Sequence, residues 1–203
     1  MQETIAKESA RPRIARRIGA AGLALAAVVT LGACKATGGG QIDEPVPSNV
    51  LPTGDIDGVY KGEATFGFNF TCEVTAKNKE VIKGEITYHD TGTSTIEGVD
   101  FPEVRLHGVV DPMTFTAPDC EAAAQLFLDA AQFDGTYRSQ DTSLTSALPG
   151  RFTVLVFDQG EPGRTKDAFV TGDGFAIDLK GGPYTLYTRA GYIEGGNIQV
   201  DNT

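Results

Sequence analysis

From Glu63 to Thr75 the chain alternates without a break. Ala64, Phe66, Phe68, Phe70, Cys72 and Val74 share one parity, and Thr65, Gly67, Asn69, Thr71, Glu73 and Thr75 share the other. Successive side chains of a strand point to opposite faces, so this run makes a strand with one apolar and one polar face. A helix would scatter the three phenylalanines around its axis. A second alternation follows a turn around Asn78: Ile82, Gly84, Ile86 and Tyr88 against Lys83, Glu85, Thr87 and His89. Two such runs joined by a short polar turn predict an antiparallel pair.

The same logic extends down the chain. Val104, Leu106 and Gly108 alternate with Arg105 and His107, and Met113–Thr116 and Gln132–Arg138 read as further strands. Phe152–Phe157 is apolar at nearly every position, which predicts a central strand covered on both faces. Short strands are expected at Ala168–Val170, Phe175–Leu179, Tyr184–Thr188 and Asn197–Val200, separated by glycine-rich turns. One stretch departs from the pattern. Pro118-Asp119-Cys120-Glu121 opens a run to Ala131 of good helix formers, with Asp119 as N-cap. The expected fold is all-β: an antiparallel sandwich or barrel-like domain with one short helix.

The N-terminus reads as an address. Residues 1–17 are polar and end in Arg16-Arg17, and a weakly apolar run follows from Ile18 to Gly32. About 20 residues are needed to span a bilayer as a helix, so this run is short for an anchor and suits a secretory signal. Leu31-Gly32-Ala33-Cys34 resembles the lipobox of bacterial lipoproteins. The resemblance implies diacylglyceryl transfer to the Cys34 thiol, cleavage after Ala33, and Cys34 as the new N-terminus. It also implies export and attachment to a lipid membrane of the cell envelope. With Lys35 and not Asp in the next position, that is the outer membrane where the cell has one. Arg16-Arg17 raises the twin-arginine export route, but the residues that follow are weakly apolar for it. The expected organisation is a removed signal at 1–33, a lipidated flexible tether at 34–56, and the β-domain at 57–203. Gly38-Gly39-Gly40 loosens the tether, and Pro45, Pro47 and Pro52 stiffen it.

With Cys34 acylated, Cys72 and Cys120 remain, and two cysteines in an exported protein are expected to pair. Such a bond would stabilise the fold by roughly 4 kcal/mol in the chain-entropy view. The alternative is two buried thiols. The charge is −10 overall; residues 1–33 carry five basic and two acidic groups, which leaves −13 from Cys34 onward. That balance argues against nucleic acid as a partner.

Gly62-Glu63-Ala64-Thr65-Phe66-Gly67-Phe68, Asp158-Gln159-Gly160-Glu161-Pro162-Gly163 and Gly195-Gly196-Asn197-Ile198-Gln199 carry a second resemblance. They are similar to a β-domain of secreted and surface bacterial proteins called post-COAP. That resemblance implies fold and exported location over roughly residues 58–201, and no activity.

Asp158, Glu161 and Asp167 gather oxygen ligands on one turn and form the candidate Ca²⁺ site. The competing and simpler reading is a rigid turn, with Pro162 fixing φ. No metal centre is expected from His89 and His107, which read as surface residues, and no nucleophile–base motif appears. Tyr60, Tyr88, Tyr137, Tyr184, Tyr187 and Tyr192 are expected on the surface, where they could stack on sugars; the competing reading is that tyrosines are common on the strands of any sandwich. The favoured function is a non-catalytic binding or envelope-structural module for an unidentified envelope or extracellular ligand. A carboxylate-dependent hydrolase of glycans is the alternative.

Overall fold

A computed structural model describes residues 33–42, 58–74, 80–111, 130–144, 147–159 and 172–201. These residues form an all-β, antiparallel, barrel-like fold. The strands are β1 (Ala33–Ile42), β2 (Gly58–Tyr60), β3 (Ala64–Val74), β4 (Glu80–Asp90), β5 (Ser94–Ile96), β6 (Val99–Phe101), β7 (Val104–Val110), β8 (Ala130–Ser139), β9 (Gly150–Phe157), β10 (Gly174–Lys180), β11 (Thr188–Tyr192) and β12 (Gly195–Asp201). Nine of them make one sheet in the order β11-β10-β9-β8-β7-β4-β3-β1-β12. The short strands β2, β5 and β6 make a second, three-stranded sheet.

The large sheet has to curl. Laid flat, nine strands at about 4.8 Å spacing would set the two edges roughly 38 Å apart. Yet Tyr192 ends one edge strand and Gly195 begins the other, a reach of at most about 11 Å. Each neighbouring pair is antiparallel, so β11 and β12, eight steps apart, run in the same direction. The chain therefore bends without reversing, and pairs first with β10 and then with β1. Ile193 and Glu194 make the step between the two strands, and just beyond it Gly196 takes φ 108°, where a side chain would strike the Gly39 carbonyl.

The inner face is filled. Phe66 stacks on Phe175 with centroids 3.8 Å apart, Phe70 lies 5.2 Å from Phe133, and Phe133 meets Phe152 edge-on. Glycines make room for these rings: a Cβ on Gly108 or Gly135 would sit 2.6 or 2.7 Å from the Phe152 ring.

Several expectations are corrected. Residues 33–42, assigned by sequence mainly to the tether, form a ten-residue strand between β3 and β12. The glycines that suggest looseness are demanded by close packing, since a Cβ on Gly38 or Gly40 would come within 2.8 or 2.6 Å of a β12 carbonyl. Residues 43–57 lie outside the described residues. The expected helix lies mostly outside them too, and its last residues, Ala130 and Ala131, belong to β8. The strand expected at Tyr184–Thr188 is a 3₁₀ turn at Gly182–Tyr184 followed by an irregular step into β11, with Leu186 at φ 74°. On β9, Leu155 and Phe157 are only half covered, against Ala176 and Ala190, so that strand is not equally buried on both faces. The proposed strands at 113–116 and 168–170 lie outside the described residues.

Candidate binding groove

Two polar assemblies stand out, one inside the barrel and one outside. The inner one begins with Asp90, the last residue of β4, whose parity places its carboxylate on the inner face. Its Oδ2 accepts hydrogen bonds from Tyr187 at 2.7 Å and Ser94 at 2.9 Å, and its Oδ1 accepts the Gly92 N–H. Arg189 Nη1 lies 2.9 Å from Oδ2, and both side chains are completely buried. Arg189 Nη2 donates to the carbonyls of Ile42 and Gly62, which ties β11 to the end of β1 and to the turn before β3. The ring of Tyr60 covers the guanidinium at 5.3 Å, and its hydroxyl donates to the Thr188 carbonyl. Tyr187 gives its proton to Asp90, so Tyr88, 2.6 Å away, donates to Tyr187.

Burial raises the ionisation of the Tyr88 and Tyr187 hydroxyls well above the ordinary phenol value, and the nearby Asp90 charge adds to the effect. Burial pushes Tyr137 up to about 12. These phenols are neutral hydrogen-bonding members of the core. A buried carboxylate–guanidinium pair held among this many partners is a structural network, and its cost is offset only while each partner is present.

The outer assembly follows from register. Thr65 on β3 faces His89 on β4, His89 faces Arg105 on β7, and the Gln140 N–H bonds the Arg105 carbonyl. In the next row Gly67 faces Thr87, Thr87 faces His107, and His107 faces Arg138 on β8. Residues directly opposite share a face, so both rows lie on the outside. Thr65, His89 and Arg105 of the first row and Gly67 and Thr87 of the second line, with Gln140, a groove of about 510 Å³; His107 and Arg138 line a second hollow of about 210 Å³. Glu103 holds two side chains of the larger groove: His89 Nε2 lies 2.7 Å and Arg105 Nε 3.8 Å from its Oε1. In a chain of net charge −10, both histidines and two arginines occupy adjoining outward positions here.

The structure separates the candidates named from sequence. Asp158 accepts the Val200 N–H at 3.1 Å. Asp173, between two glycines, accepts the N–H groups of Ile198 and Gln159 and is fully buried. Both carboxylates cap the free edge of β12 and help hold the curled sheet together. Glu161 and Asp167 lie outside the described residues, and among the described residues no cluster of three metal-ligating side chains occurs. Cys72 is fully buried, and Cys34 stands in register with it on β1; Cys120 lies outside the described residues.

The tyrosines expected at the surface are not there. Tyr88, Tyr137, Tyr184 and Tyr187 are buried and Tyr60 and Tyr192 half-buried, because their parity or turn position directs them inward. His89 and His107 do lie on the outer face, in adjoining rows, but sequence alone does not reveal the groove that His89 lines. The signal for it is that Thr65, His89 and Arg105 all fall on the polar parities of their strands, which needs the strand register to become a site. No family model, curated protein or solved structure matches this chain.

Proposed function

We propose that this chain is an exported lipoprotein, anchored through acylated Cys34, whose barrel is a non-catalytic binding module of the cell envelope. The observation that carries the binding-module reading is the filled interior. Stacked rings and the Asp90–Arg189 network occupy the space a ligand would need, which leaves the outer face as the working surface. The lipobox Leu31-Gly32-Ala33-Cys34 and the apolar run before it support the anchor. With β1 beginning at Ala33, an acylated Cys34 would join the barrel rim directly and hold the domain against the bilayer. The resemblance to the post-COAP β-domain belongs to the same proposal. A Cys72–Cys120 disulfide does too, supported by the complete burial of Cys72.

One observation favours a second reading of the cysteines. Directly opposed residues of an antiparallel ladder have Cα atoms about 4.5–5.5 Å apart, inside the range a disulfide spans. Cys34 opposite Cys72 is therefore a candidate cross-strand bond, and a thiol so engaged accepts no lipid. Detergent phase partition of the wild type and Cys34→Ala tests the anchor. The wild type is expected in the detergent phase and the variant in the aqueous phase. Equal partition of both into the aqueous phase overturns the anchor.

A further inference from the structure

Most strand glycines in this barrel have a steric reason. A Cβ on Gly84, Gly108, Gly135 or Gly150 would lie 2.1–2.6 Å from a carbonyl oxygen or a ring atom. Gly67 has none. It sits mid-strand without a positive φ, and a Cβ there would meet only Thr87 Oγ1, at 3.6 Å. Glycine in a strand interior costs roughly 0.5–1 kcal/mol relative to alanine. Where packing does not demand it, it marks a place where something else approaches the backbone. Gly67 forms part of the groove floor between Thr65 and Thr87 and beside the His89–Arg105 pair.

We propose that this groove binds an acidic saccharide, with Gly67 admitting the sugar to the strand backbone. The proposal deepens the binding-module reading and needs nothing from the anchor. Arg105, half-exposed, and His89 supply donors for a carboxylate at one end. The hydroxyls of Thr65 and Thr87 and the amide of Gln140 supply partners for ring hydroxyls. Thr65 and Thr87 are committed only weakly, to carbonyls at 3.5 and 3.4 Å. Phe66 and Tyr88 border the groove but are buried, so no apolar side chain offers a peptide an anchor. A long polyanion is disfavoured by the surrounding negative charge, whereas one carboxylate meets the Arg105 guanidinium. Glu103 competes for the same donors and limits affinity.

The test titrates the purified full chain with trigalacturonate and with neutral galactotriose by calorimetry. Trigalacturonate is expected to bind, and galactotriose at least tenfold more weakly. Gly67→Val is expected to lose at least tenfold in affinity with a melting temperature equal to or above that of the wild type. Arg105→Gln is expected to lose a similar factor, and Glu103→Gln to gain. Equal binding of both sugars overturns the acidic assignment and leaves a binding module. Unchanged affinity in Gly67→Val overturns the groove, and so does failure of trigalacturonate to bind.

Discussion

At the scale of single residues, the barrel depends on side chains that cannot be exchanged one at a time. Asp90 gathers Arg189, Tyr187, Ser94 and the Gly92 N–H. Asp90→Ala leaves a buried guanidinium uncompensated and is expected to cost about 3–5 kcal/mol in urea unfolding. A loss under about 1 kcal/mol would mean that the network is solvated. The phenols add a pH dependence. Their ionisation is raised in the folded state, so folded and unfolded chains are equally protonated below the ordinary value of 10.0. Above it the unfolded chain loses protons first, and stability falls as pH rises. Tyr88 and Tyr187 each contribute a slope of about 1.4 kcal/mol per pH unit in that window. Thermal melts at rising pH are expected to hold steady to about pH 9.5 and then drop; a flat profile to pH 11.5 would contradict the buried, neutral assignment. Parity in the sequence placed Tyr88 inside, on the face of Ile86, yet a tyrosine read alone suggests a surface. Its hydroxyl's partner, Tyr187, is 99 positions away, and only the curled sheet brings the two together.

At the scale of elements, β3, β4, β7 and β12 were legible because period-two patterning and half-burial are the same fact seen twice. β1 was not. Ala36-Thr37-Gly38-Gly39-Gly40 carries almost no apolar signal, and its strand state is imposed by the neighbours on either side. Gly38→Val forces a side chain into the Asn197 carbonyl, 2.8 Å from the Cβ position, and is expected to destabilise by about 1–3 kcal/mol. A flexible tether would tolerate the change, so an unaltered urea midpoint would return residues 34–42 to that role. The edge of β12 is a second test. Asp173→Ala deprives the Ile198 and Gln159 N–H groups of their acceptor, and the buried one alone is expected to cost about 1–3 kcal/mol. Hydrogen exchange at Ile198 should accelerate with it; unchanged exchange there would show that another group caps the strand.

At the scale of the whole molecule, the all-β antiparallel class followed from composition and alternation, while closure did not. A bend at Ile193 and Glu194 that carries the chain from the β10 side to the β1 side leaves no periodic trace, and the groove exists only once β3, β4 and β7 are in register. The location of the protein rests on the chemistry of one cysteine, for which the fold supplies a competitor in Cys72. The mass of the intact chain extracted from cell membranes, with peptide mapping of its cysteines, decides between them. The account predicts a chain starting at Cys34, heavier by a diacylglyceryl group on that residue, with Cys72 joined to Cys120. A chain without acyl mass whose Cys34 peptide is joined to the Cys72 peptide would contradict it.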